Sequence, residues 1–210
     1  MIAIVDYGVG NLFSLSCSLR RIGQEAEITG DISRIRNSEK IILPGVGAFG
    51  DAAEKLRSGG LFDVLREEAG KGKPLLGICL GMQLLFDRSF EFGEHEGLGL
   101  IRGEVVPIRP VVPAGYKIPH IGWNALHFPK DKPKSPLFRY TGEGEHVYFV
   151  HSYCAAGCGA SVIATTEYGA ELTAAAACGN VYGTQFHPEK SGEAGLKILR
   201  AFCGLGEGAR

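Results

Sequence analysis

Pro74-Leu75-Leu76-Gly77-Ile78-Cys79-Leu80-Gly81-Met82-Gln83 is the stretch that decides the fold. Its first half, residues 74–78, is a short apolar run of the kind that forms a strand buried on both faces. Residues 80–86 read as the helix that follows. Between them, Gly77-Ile78-Cys79-Leu80-Gly81 has the Gly-x-nucleophile-x-Gly form of a sharp strand-to-helix turn, with cysteine as the nucleophile. Such a turn forces its central residue into strained backbone geometry, and the residues two away must lack a bulky Cβ. It lifts the thiol to the top of the sheet and sets it at a helix N-terminus, where the dipole favours thiolate. Standing alone, the same five residues fit a buried structural cysteine between chance glycines equally well.

Working outward, apolar runs alternate with helical periodicity through the first half. Strands are expected at Ile2–Val5, at 25–29 and at Lys40–Leu43, the last ended by Pro44-Gly45. Asn11 is placed to cap a helix over 12–22, whose Leu12, Leu15, Leu19 and Ile22 recur at helical spacing. Residues 48–57 and 61–69 read as further helices. This βαβ rhythm implies an α/β, doubly wound, mostly parallel central sheet with helices on both faces. The second half carries shorter strand candidates at 99–109, 122–128, 145–150, 161–166, 172–177 and 181–185. They are expected as antiparallel edge additions to the same sheet, not as a second domain. Residues 191–203 close with an amphipathic helix, 129–136 form a polar surface loop with a solvated charge run, and the tail after Gly204 is expected to fray. The length of 210 residues suits one domain over 1–210.

Composition excludes several classes. Lys+Arg is 22 and Asp+Glu is 23, a net charge of −1, which argues against nucleic acid or a polybasic membrane patch as partner. Hydrophobic residues at 45% and charged residues at 21% rule out wholesale disorder. The 31 glycines are about twice the usual ~7% and have no triplet period, so they mark tight turns and close backbone approaches. The N-terminus reads as a strand, not a leader, and no apolar stretch is long enough to span a bilayer. The six scattered cysteines fit reduced thiols in a cytoplasmic protein. Cys154 and Cys158 with His151 have the wrong spacing for a zinc ribbon or finger, and no fourth ligand is evident, so no metal is expected.

A second motif turns the cysteine toward chemistry. His187-Pro188-Glu189 follows the strand candidate 181–185. A thiol nucleophile needs a base to take and return its proton, and the base needs a carboxylate to fix its tautomer. In extended backbone, side chains two apart point the same way, so Glu189 can reach the His187 ring. His95, His127 and His146 have no carboxylate so placed after a strand and are expected on the surface. The third motif, Pro44-Gly45-Val46-Gly47, ends the neighbouring strand. Gly45 and Val46 can turn backbone amides toward the thiol, with the Leu80 N–H as a second oxyanion donor.

Gly77-Ile-Cys-Leu-Gly-Met-Gln83 together with Phe186-His-Pro-Glu189 resembles the triad (class I) glutamine amidotransferases. Further motifs resemble one branch, the glutaminase subunits of imidazole glycerol phosphate synthase in histidine biosynthesis. They are Asp6-Tyr-Gly-Val-Gly-Asn-Leu12, Pro44-Gly-Val-Gly-Ala-Phe-Gly-Asp51, Pro119-His-Ile-Gly-Trp-Asn124, Tyr148-Phe-Val-His-Ser-Tyr153 and Gln185-Phe-His-Pro-Glu-Lys-Ser191. The resemblance implies a flavodoxin-like amidotransferase fold and no cofactor. It implies that Cys79 attacks the carboxamide of L-glutamine, that His187 protonates departing ammonia and then activates water, and that Glu189 orients His187. Gly47, Gln83, Glu91, Ser152 and Tyr153 should hold the substrate, with Glu91 meeting its α-ammonium. His151 is either a nearby polar support or core packing. Ile121, where Met is usual, and Gly192, where a polar residue is usual, depart from the pattern without touching the triad.

Ammonia released into water near neutral pH is mostly protonated and loses its nucleophilicity, so a lone glutaminase of this kind is wasteful. The resemblance implies a (β/α)8-barrel cyclase subunit docked over the mouth of the site as a heterodimer, receiving the ammonia. Asn11, Trp123, Tyr148 and Lys190 are the candidate docking residues, since exposed aromatics suit interface anchors; Trp123 also suits a core position. Two other readings remain: the glutaminase subunit of a different synthase, of the vitamin B6 type, and a non-catalytic docking subunit. Pro119-His-Ile-Gly-Trp-Asn124 argues against the first, and the complete Cys79, His187 and Glu189 against the second.

Overall fold

The structure is a computed structural model that describes residues 1–206. Its first half runs β1 (Ile2–Val5), α1 (Leu12–Arg21), β2 (Ala26–Thr29), α2 (Ile32–Asn37), β3 (Lys40–Leu43), α3 (Phe49–Ser58), α4 (Leu61–Gly70), β4 (Leu75–Ile78) and α5 (Leu80–Gln83). The second half runs β5 (Phe86–Ser89), β6 (His95–Glu96), β7 (Ile101–Pro107), β8 (His120–Ala125), β9 (His146–His151), β10 (Tyr153–Ala156), β11 (Val162–Glu167), β12 (Glu171–Cys178), β13 (Val181–Thr184) and α6 (Gly192–Cys203). The main sheet has the order β11-β12-β13-β4-β3-β1-β2. From β2 through β13 every pairing is parallel, and β12 and β11 add an antiparallel edge.

The two-residue period of a strand divides the core into two layers. Ile2 and Ile4 pack on one face of β1, Ala3 and Val5 on the other. Ile41 and Leu43 in β3 join the Ala3 side, while Ile42 joins the Ile2 side. Leu56 and Leu65 from α3 and α4 cover the first face; Leu15, Leu19 and Phe202 from α1 and α6 cover the second. Each such buried side chain contributes roughly 1.5–3 kcal/mol of transfer free energy. Helices thus cover both faces, as a doubly wound sheet requires.

The structure departs from the sequence reading at several places. The helix expected over 80–86 stops at Gln83. Its carbonyls are taken by a distant loop: Leu98 N–H bonds to Leu84 O at 2.7 Å and Leu100 N–H to Leu85 O at 2.8 Å, and the chain leaves as β5. The second-half strands do not all join the main sheet. The strands β10-β7-β5-β6 form a second sheet, and β8 with β9 a separate ribbon. Helix α2 was not legible; Asp31 caps it by accepting from Arg34 N–H at 3.0 Å. Asn11 stands at the N-cap of α1 but makes no side-chain cap bond. The loop 129–136 is not wholly solvated, since Lys132 Nζ reaches the Gly159 and Ala160 carbonyls at 3.3 and 3.2 Å. The tail expected to fray lies partly in residues 207–210, outside the described residues; before them, Leu205 is buried and its N–H bonds to Phe202 O at 3.1 Å.

No helix among the described residues is long and apolar enough to cross a membrane. Strands β4 and β13 lie side by side, with Ile78 opposite Thr184. The loops that leave their C-terminal ends therefore emerge together, at the edge where open α/β sheets bind ligands. The close packing there rests on Gly81, where a Cβ would fall 1.9 Å from Leu43 O. Gly81→Ala should therefore destabilise the fold by about 3 kcal/mol or more, read as a lower urea midpoint at constant slope.

Candidate active site

Cys79 occupies the turn between β4 and α5 with φ 55° and ψ −110°, a region that L-residues rarely adopt. The neighbouring strand holds it there: Cys79 N–H bonds to Thr184 O at 2.7 Å. The glycines two residues away are sterically required. A Cβ on Gly77 would lie 2.5 Å from Gly81 O. The turn thus has the elbow geometry that the motif predicts. Its helix, however, is a single turn from Leu80 to Gln83. The dipole available to a thiolate is correspondingly small, because the macrodipole sums over aligned peptide units.

His187 and Glu189 leave the C-terminal end of β13 beside this elbow. Glu189 Oε1 and His187 Nδ1 are 2.8 Å apart, and both side chains are almost fully buried. The carboxylate fixes the tautomer and orientation of the ring. His187 Nε2 is buried and makes no hydrogen bond among the described residues. Burial works to lower the His187 pKa, but interaction with the Cys79 thiol and with Glu189 outweighs it and raises the imidazole to about 9. The ring is therefore held as an imidazolium facing sulfur and carboxylate. Ser191 Oγ donates to His187 O at 2.6 Å and accepts from Tyr148 N–H at 3.0 Å, and His187 N–H bonds to Tyr148 O at 3.0 Å.

Cys79 and His187 open into one cavity of about 330 Å³, lined also by Val46, Gly47, Leu80, Gln83, Glu91, Ser152, Tyr153 and Lys190. At about 30 Å³ per water this equals roughly eleven waters, room for one amino-acid-sized ligand. All five residues expected to hold substrate line it. Gln83 commits both amide hydrogens inward, to Tyr153 O at 3.2 Å and Gln185 Oε1 at 3.0 Å. Glu91 caps α3 with one carboxylate oxygen, accepting from Phe49 N–H at 2.6 Å. Burial, followed by the nearby Glu91 carboxylate, raises the Tyr153 pKa.

Of the residues expected to serve an oxyanion, Val46 and Leu80 line the cavity, whereas Gly45 is buried and does not. Tyr7 Oη donates to Pro44 O at 2.8 Å and pins the start of the loop. Val46 and Gly47 N–H make no backbone bond among the described residues, and Gly47 adopts φ 96°. The loop is thus anchored at one end and unrestrained at the end that faces the thiol.

The candidate docking residues form most of a rim. Trp123 is 53% exposed, which settles its position at the surface. It pairs across the β8–β9 ribbon with Tyr148, ring centroids 6.0 Å apart, and Lys190 Nζ lies 5.9 Å from the Tyr148 ring centre. Exposed Ile121 extends the patch. Asn11 stands apart from this stack, in a small recess with Gly45, His187 and Glu189.

Gln185 and His120 make buried contacts that their local sequence does not announce. Gln185, fully buried, donates from Nε2 to Cys79 Sγ at 3.8 Å. His120, also fully buried, stacks on Tyr168 with centroids 3.9 Å apart and contacts His151 Nε2 through Nδ1 at 3.1 Å. His151 Nδ1 lies 2.8 Å from Tyr153 O, which accepts only, so this nitrogen carries the proton. Burial pulls His151 down to about 3, so it stays neutral as a polar support in the cavity lining. The place of Gln185 and His120 inside the motifs 185–191 and 119–124 was the available signal. His127 and His146 are exposed as expected, whereas His95 is half-buried and packs on Phe49 and Gly50. Cys154 and Cys158 are buried, and burial pushes Cys154 up to about 11, which leaves it inert. A wider open groove of about 570 Å³ along Pro129 to Lys132 contains no cysteine.

Comparison with known proteins agrees with this geometry. The family profile Glutamine amidotransferase class-I matches residues 3–204. Imidazole glycerol phosphate synthase subunit HisH of Caldanaerobacter subterraneus is 50% identical over 203 residues, covering 96% of this chain and 97% of that one. The subunit of the same name from Geobacillus sp. is 51% identical, covering 99% and 98%. A solved glutamine amidotransferase superposes with a TM-score of 0.74 at 20% identity, covering 97% of this chain and all 100% of the other. PurLQS from Thermotoga maritima superposes with a TM-score of 0.73 at 23% identity, covering 97% of each chain. These two structures establish the fold alone. The chain belongs to the class I glutamine amidotransferases and, within them, to the family of imidazole glycerol phosphate synthase subunit HisH.

Proposed function

We propose that this chain is the glutamine-hydrolysing subunit of an imidazole glycerol phosphate synthase, acting in histidine biosynthesis in the cytoplasm as one amidotransferase domain. The observation that carries this reading is the common cavity of Cys79 and His187, with Glu189 2.8 Å from the far ring nitrogen. L-Glutamine enters with its carboxamide against the thiol. Cys79 Sγ attacks the carboxamide carbon, and the carbonyl oxygen becomes an oxyanion. The Leu80 N–H and the amides of the Gly45–Val46 turn are its donors. His187 transfers its proton to the departing ammonia, leaving a γ-glutamyl thioester. Water, deprotonated by the same ring, then releases glutamate and regenerates the thiol.

Substrate selection follows from the remaining lining. Glu91 supplies negative charge for an α-ammonium group, Gln83 has its carbonyl oxygen left for a ligand N–H, and Ser152, Tyr153 and Gly47 complete the walls. A (β/α)8-barrel cyclase subunit is the partner that would use the ammonia, seated as a heterodimer on Trp123, Tyr148 and Lys190, with Asn11 as a separate contact. Ile121 adds exposed apolar area to the same rim. Docking also offers a way to order the unrestrained end of the oxyanion loop.

Cys79→Ala should abolish glutamine-dependent synthesis by the reconstituted pair while ammonia-dependent synthesis by the cyclase survives. Loss of both activities would contradict the division of labour. The pH profile gives a second test. Because the His187 pKa is raised from 6.5 to about 9, the proton needed by leaving ammonia is present below that value and lost above it. Glutamine turnover should therefore fall as pH rises through about 9. Glu189→Gln removes one of the charges that raise this pKa, so the alkaline limb should move down by about one pH unit or more, with a lower maximal rate.

A further inference from the structure

The orientation of two buried amides can be read from one atom. Tyr153 O is a carbonyl and can only accept, so the Gln83 side-chain atom 3.2 Å from it is the amide nitrogen. The second hydrogen of that nitrogen points at Gln185, 3.0 Å away, and must meet an oxygen. Gln185 Oε1 is thereby turned toward Gln83, and its Nε2 is left facing Cys79 Sγ at 3.8 Å. Gln185 is fully buried, and its backbone N–H is tied to Ala174 O at 2.8 Å, so the side chain has no solvent-exposed alternative.

Resting on Cys79 as the nucleophile, we propose that Gln185 is a further catalytic residue: its amide N–H holds the thiolate, and the Gln83–Tyr153 contacts keep that N–H aimed at sulfur. The need for such a donor is visible in the other contacts of the sulfur. The Val150 carbonyl, 3.9 Å away, suits an S–H donor and repels a thiolate. Helix α5 is one turn long and contributes little. His187 must give up its proton to ammonia during the reaction, so its support is intermittent. The Gln185 amide neither titrates nor leaves. A neutral donor fixed beside the sulfur supports the anion each time it forms, before attack and again as the thioester breaks, without trapping it as a second cation would.

The test needs no glutamine. Alkylation of Cys79 by iodoacetamide is followed across pH, with the Cys79 peptide resolved by mass because the chain has six cysteines. Gln185→Met keeps the volume and removes the donor; Gln185→Glu keeps an oxygen for Gln83 and places an acid beside sulfur. Thermal unfolding identifies which variants are folded. Gln185→Met should slow Cys79 alkylation about tenfold near pH 7, the scale of one charge-assisted hydrogen bond, and the rates should converge at about pH 10, where thiolate forms without help. Gln185→Glu should slow it at least as much, so it decides the matter if the Met variant fails to fold. A folded variant with an unchanged profile, or one slowed equally at every pH, overturns the role of Gln185. Failure of Cys79 in the unsubstituted chain to react with iodoacetamide at any pH would instead overturn the nucleophile reading itself.

Discussion

Cys79 is held at φ 55° and ψ −110° by forces that come from three separate stretches of chain. Its N–H is tied to Thr184 on β13, the absence of a side chain at Gly77 lets α5 turn back onto β4, and Gly81 lets the same turn press on Leu43 of β3. Left-handed backbone costs a β-carbon-bearing residue of order 1–3 kcal/mol, and the surroundings must over-determine it for it to persist. Three parallel strands supply that over-determination. The sulfur is consequently displayed at the sheet's C-terminal edge with little freedom, and the imidazole, carboxylate and amide around it can be positioned against a fixed point.

The charges around that point have a definite order. His187 carries Glu189 on one ring nitrogen and leaves the other for sulfur, so its raised pKa is a property of the trio and not of the ring alone. His151, in the lining of the same cavity, is driven the other way by burial and stays neutral. One buried histidine is thus charged and its neighbour is not, because only one of them has an anionic partner.

Local constraints were legible in the sequence, and distant ones were not. The elbow is written in five consecutive residues and His187-Pro188-Glu189 in three, so their chemistry could be read without coordinates. The alternation of Ile2, Ala3, Ile4 and Val5 likewise announces a strand buried on both faces. What escaped were choices made between distant segments. Residues 84–86 carry helical sequence, yet the loop near Leu98 captures their carbonyls, so Leu84 and Leu85 form a turn and Phe86 opens β5. Gln185 stands 106 positions from Cys79, and nothing in its own neighbourhood says that its amide will meet a thiol. The second sheet and the β8–β9 ribbon escaped for the same reason, since strand partners are chosen by tertiary packing that no local pattern records.

The β8–β9 ribbon has one consequence for how the molecule comes apart. A two-stranded ribbon is marginal in water by itself. This one is fastened along β9 by bonds from Tyr148 to the His187 backbone and to Ser191, and by the contact of Val150 O with the cysteine. The clasp that steadies the ribbon is therefore the same segment that aims the imidazole. Loosening of the ribbon along β9 also loosens the backbone that carries the imidazole.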